Sequence, residues 1–141
     1  MWVYDGTMDF YYSDHVDTGE EYYVCKKGEC IQKKIVIPCF DFGKWIKNNF
    51  NKKDYIIFSL DISGGEWEIL EKMIVDGSIE YVDRLYAEFC IDHFVNRGYS
   101  EDEAYRREYA IIHKVRSLGI IFDRESAEEV IEWRNNWQDS L

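Results

Sequence analysis

Two groups of ionisable residues have the types and spacing for acid–base chemistry. In the first, Asp61 directly follows the apolar run Tyr55-Ile56-Ile57-Phe58-Ser59-Leu60, and Glu66 comes after Ile62-Ser63-Gly64-Gly65. In the second, Glu88 sits in Leu85-Tyr86-Ala87-Glu88-Phe89, with Asp92 and His93 just beyond. A carboxylate within hydrogen-bond reach of a hydroxyl can take its proton or fix its orientation. Each group also has a purely structural reading. An acid in a helix's first turn gains about 0.3–1 kcal/mol from the macrodipole and needs no function to explain it. That covers Glu66 and leaves Asp61 open between the two readings. An unpaired carboxylate inside an apolar strand is costly, so Glu88 lies either in an internal pair or, as preferred here, at the strand's C-terminal mouth. The sequence names no catalytic or ligand set around His93 or His113.

Other chemistry-bearing residues read more plainly. Cys25 and Cys30 could pair or bind a metal, but no second close cysteine pair or nearby histidine completes a four-ligand zinc set. With Cys39 and Cys90 they read as reduced thiols of a cytoplasmic protein, and no metal is expected. Trp2, Trp45, Trp67, Trp133 and Trp137 read as core or interface residues, and Lys44, Lys47, Lys52 and Lys53 as the wet side of a helix and the turn after it.

The elements that must position these residues alternate. The first forty residues are β-rich. Asp5-Gly6 predicts a hairpin between two short aromatic strands, and Glu21 to Cys25 with Cys30 to Pro38 predicts a second strand pair turning at Gly28. Asp41 is the expected N-cap of a helix to Phe50, with Phe42, Trp45, Ile46 and Phe50 on one face. The run 55–60 reads as a strand covered on both faces, as in a parallel sheet with helices above and below. A helix through Ile69, Leu70, Met73 and Ile74 stops at Gly77, and a second buried strand covers 84–89. Ser100-Glu101-Asp102-Glu103 caps a helix to Leu118, a short strand spans 120–122, and Ser126-Ala127-Glu128-Glu129 caps a last helix toward Trp137. This order indicates an α/β fold with a mostly parallel sheet, in which ligands bind beyond the carboxyl ends of the strands.

Composition limits the function classes. A chain of 141 residues is expected to form a single domain, 1–141. Its formal charge of −11 disfavours nucleic acid and anionic membranes as partners. No apolar run is long enough for a transmembrane helix, and Met1 to Asp14 does not read as a secretion signal.

Several ordered stretches resemble one family. Trp2 to Tyr11, Val36 to Phe42, the helix with Trp45, Asp61-Ile62-Ser63-Gly64-Gly65-Glu66 and Leu85 to Phe89 together resemble the C-terminal half of FkbM-type methyltransferases, over roughly residues 1–90. The resemblance implies a partial doubly wound, Rossmann-like methyltransferase sheet lacking its first strands, with N-terminal β-hairpins. It implies S-adenosylmethionine as methyl donor and transfer to hydroxyls of sugars or small metabolites. Asp61, Glu66 and Glu88 would then be catalytic, and Asp61 and Gly64 would bind the cofactor. The family's Gly-rich donor loop would lie before residue 1. Ser59 replaces the usual lysine, Ser63 an acidic residue, and Cys90 a common histidine. The edge of strand 55–60 is expected to be covered by a complementing chain or a second copy. The other reading is a non-catalytic, methyltransferase-derived binding or assembly module.

Overall fold

The computed structural model describes residues 1–13, 21–23, 33–62 and 64–124. The expected last helix, the Cys25–Cys30 pair and Ser63 lie outside them. The described chain is mixed α/β, with four α-helices and two three-stranded sheets.

The first sheet is antiparallel, with β1 (Gly6–Ser13) between β2 (Glu21–Tyr23) and β3 (Lys33–Cys39). This corrects two expectations. Asp5-Gly6 does not join two aromatic strands, because Trp2 is tied elsewhere. Its N–H donates to the Phe40 carbonyl at 2.8 Å and its carbonyl accepts from Phe42 at 3.0 Å, forming a parallel bridge with Asp41. Nor do the runs before and after Gly28 pair with each other, since both strands pair with β1. Pro38 also sits within β3, opposite Thr7. The strand lies at the sheet edge, where a missing N–H is tolerated.

Helix α1 (Phe42–Asn49) opens as expected, with the Asp41 carboxylate accepting from the Lys44 N–H at 2.9 Å. The second sheet is parallel, β4 (Ile57–Leu60) beside β5 (Arg84–Ala87) beside β6 (Ile121–Arg124). Helix α2 (Glu66–Asp76) and a 3-10 turn (Ser78–Tyr81) connect the first two strands. Helix α3 (Ile91–Asn96), which the sequence reading did not anticipate, and α4 (Glu101–Ser117) connect the next two. Gly77 ends α2 in the left-handed conformation at φ 76°, and the Ser100 hydroxyl caps α4 by accepting from Glu103 N–H.

Parallel crossovers are right-handed, so a sheet built in one direction receives its connections on one side. Phe58, Leu60, Leu85, Ala87 and Phe122 are buried there, in one core with Trp67, Leu70, Met73, Ile111 and Val115. Trp67 stacks toward Phe94 at 4.5 Å, and Phe42 of α1 stacks on Phe58 at 4.7 Å. Strand β4 is therefore not covered on both faces: its burial alternates, and Ile57 is 40% exposed and Ile121 50% exposed on the opposite side. On that side the Arg84 guanidinium pairs with Asp123 at 2.6 Å and lies over the Tyr86 ring at 5.1 Å. Among the described residues no strand lies beyond β4, which is an edge of its sheet. No described helix is long and apolar enough to cross a membrane.

Candidate functional site

The carboxyl ends of β4 and β5 bring two predicted residues together. Leu60 and Ala87 are register partners, and the Glu88 N–H carries the ladder one step further by donating to the Leu60 carbonyl at 3.3 Å. Asp61 and Glu88 are thus neighbours across adjacent strands, whose spacing is about 4.8 Å. Both are exposed, while Leu60 and Ala87 are buried, so the acids continue the alternation on the side away from the core. For Glu88 the mouth position holds: β5 ends at Ala87, and no buried pair is needed.

Glu66 is separate from this pair and points inward. It is 0% exposed, and its carboxylate is the anchor of the turn between β4 and α2. Oε1 accepts from the Ile62 N–H at 2.9 Å, and Oε2 from the Gly64 N–H at 2.9 Å. Burial pushes its carboxyl above the ordinary range, and the N–H groups of Glu66 itself, Ile62 and Gly64 pull the other way. The macrodipole reading of a first-turn acid therefore captures only part of its role, since it also closes the loop that precedes the helix.

The two glycines are required by close packing. Gly64 has φ +102°, and a Cβ there would lie 3.0 Å from the His93 Cβ. A Cβ on Gly65 would lie 2.8 Å from the Trp2 ring and 2.8 Å from Ile62 Cδ1. From the far side, Arg97 donates one guanidinium nitrogen to the Gly64 carbonyl and another to the Glu68 carboxylate. Sequence reasoning read Trp2 as a core or interface residue, which its packing against the core bears out, without its place over this turn, and missed Arg97. No local pattern flags a contact that depends on the N-terminal segment or the α3–α4 connection reaching this turn.

The remaining candidates are less suited to chemistry. The Cys90 thiol is pushed up by burial, against the backbone N–H groups of His93 and Asp92, so it is no activated nucleophile. Asp92 is exposed, and His113 lies exposed on α4 beside Tyr109. Cys39 and Cys90 are free thiols. Among the described residues no group of three or more His, Cys, Asp or Glu is placed to hold a metal ion. Compared with models of known families, with curated proteins and with solved structures, the chain finds no match.

Proposed function

We propose that this chain is the acceptor-side half of an S-adenosylmethionine-dependent O-methyltransferase of the FkbM type, acting on hydroxyls of sugars or small metabolites. The observation that carries the reading is the pair of exposed acids, Asp61 and Glu88, on adjacent parallel strands at their carboxyl ends. There one carboxylate accepts the acceptor's hydroxyl proton while the other accepts a neighbouring hydroxyl and fixes the oxygen's direction. The formal charge of −11 favours neutral or cationic acceptors over phosphorylated ones.

The described residues do not make a donor cradle. Such a cradle needs open backbone at its glycines, whereas His93 covers Gly64 and Trp2 covers Gly65. In this reading the donor is held by elements that complement the edge of β4, and Gly64 has a structural role. The closed turn also favours a second reading, a non-catalytic module that uses the same edge for assembly.

Two measurements on the 141-residue chain separate these readings. Titration calorimetry with S-adenosylmethionine gives no binding to the chain alone in the proposed reading; micromolar binding would overturn the placement of the donor on a partner and eliminate the module. Labelled methyl transfer is then followed in an extract of the native cells, with wild type, Asp61→Asn or Glu88→Gln added. Transfer that depends on added chain and is lost in both variants supports the enzyme. No chain-dependent transfer leaves the module.

A further inference from the structure

The turn that carries Asp61 is held from below by Glu66, yet its glycine pair leaves the backbone with more freedom than any other residue type would allow. Glu66 accepts from the N–H of Gly64, which belongs to the preceding peptide, and so does not by itself fix the peptide between Gly64 and Gly65. The carbonyl of that peptide is where Arg97 binds. Arg97 is 8% exposed, although it lies in the connection between α3 and α4, which starts from the end of β5. Its second nitrogen is committed to Glu68, in the first turn of α2. Its guanidinium plane lies near the rings of Phe94, at 6.0 Å, and Tyr99, at 5.9 Å. A planar, permanently charged fork with both ends occupied and its faces packed has few alternative arrangements.

We infer that Arg97 is the positioning residue of the mouth, a clamp that ties the connection after β5 to the turn after β4 and so holds Asp61 in place beside Glu88. The ladder bond from Glu88 to Leu60 sets the spacing of the two acids at their base. Arg97 fixes the turn beyond that point, where the ladder has ended. Glu66 and Arg97 hold Gly64 through its two flanking peptide units, Glu66 by the N–H and Arg97 by the C=O. The functional consequence rests on the proposed role of Asp61 and Glu88. The clamp itself does not, and its test reads the backbone, so the two ideas fail separately.

The test is amide hydrogen exchange, followed by NMR on the full chain, in Arg97→Met and Arg97→Lys. Arg97→Met keeps the apolar bulk and removes both hydrogen bonds; Arg97→Lys keeps the charge and one of them. Loss of a charge-assisted clamp is expected to speed exchange at Ile62 and Gly64 about tenfold or more in Arg97→Met. Exchange in Arg97→Lys is expected to lie between that and wild type, and the amides of Leu85 and Val115 in the core are expected to stay near their wild-type rates. Unchanged rates at Ile62 and Gly64 would overturn the inference, as would equal acceleration at all four positions, which reports only general destabilisation. If Arg97→Met does not fold, the same comparison is made in Arg97→Lys and in Glu68→Ala, which removes the clamp's other anchor.

Discussion

Replacing Glu66 tests the central claim about the turn, that its best-placed acid is a buried anchor and not a reacting group. In Glu66→Ala two backbone donors lose their acceptor, the part-buried Ile62 N–H and the buried Gly64 N–H. An orphaned buried donor costs about 1–3 kcal/mol; with Ile62 only part-buried and so at the low end, the pair amounts to about 2–4 kcal/mol, a large part of the 5–15 kcal/mol typical of a domain. Glu66→Gln is milder. In the wild type Oε1 already accepts from both Ile62, at 2.9 Å, and Gly64, at 3.2 Å, so an amide oxygen can keep both contacts. It sheds the charge that burial penalises but turns an NH2 toward the Gly64 N–H, and a net loss of at most about 1–2 kcal/mol at neutral pH is expected. The two proteins also respond differently to acid. Burial raises the folded carboxyl of Glu66 above its ordinary value of 4.5, so over that interval the folded state holds more protons than the unfolded state. Stability of the wild type then rises as pH falls toward 4.5, while Glu66→Gln lacks this contribution, and the gap between them widens on acidification. Urea unfolding followed by circular dichroism from about pH 7 to about pH 4.5, with unchanged m-values, measures the gap directly. A gap that narrows on acidification would refute the reasoning, because it would mean that the hydrogen bonds outweigh burial and hold the carboxyl down.

Other expectations follow from individual contacts. Gly64→Ala forces a side chain into φ +102° and against His93, and is expected to cost at least about 1–3 kcal/mol by urea unfolding; a neutral result would mean that the turn relaxes freely. Asp61→Asn and Glu88→Gln change exposed acids and are expected to leave stability within about 0.5 kcal/mol, so lost transfer in either variant cannot be blamed on unfolding. Against the cost of burial, hydrogen bonds from Lys72, Ser78 and Lys47 hold Asp76 far below its ordinary value of 3.8. Its contribution to stability is therefore complete above 3.8 and declines as pH falls below that, so the margin of wild type over Asp76→Asn, about 1–2 kcal/mol at neutral pH, shrinks in stronger acid. A margin independent of pH in acid urea titrations would contradict this.

Elements with local causes were legible in the sequence. Asp41 before an apolar face, Ser100 before Glu103, and Gly77 after Ile74 each act over a few residues, and each marks the helix end that the structure shows. The parallel β4–β5 pair was legible from two apolar runs separated by a helical period. What failed depended on distant partners. Ile57 reads as buried by its type, but only the placement of both crossovers on one side decides that it faces outward. Asp5-Gly6 carries the composition of a tight turn, yet the backbone bonds of Trp2 to residues on either side of Asp41 override it. At the site, the position of Asp61 after a strand was informative. The burial of Glu66 was not, because a first-turn acid looks the same in sequence whether it faces solvent or the loop before it.

On the proposed function, the arrangement around Gly64 also restricts how an acceptor would approach. In an α/β turn of this kind the open N-terminus of the following helix is the usual seat for an anion. Here Glu66 occupies the turn before that end, accepting the N–H groups of Ile62 and Gly64. Trp2 lies over one glycine, His93 over the other, and Arg97 takes the Gly64 carbonyl. A carboxylate already in place repels a second anion, which disfavours phosphate or a carboxylate at this turn. Asp61 and Glu88 are instead exposed on the side of the sheet that carries Ile57, Tyr86 and Ile121. An acceptor that meets both acids must come from that side, with its hydroxyls toward the strand ends and its less polar surface along the rows behind them. An acceptor approaching over α2 would meet Trp2 and the closed turn before either carboxylate.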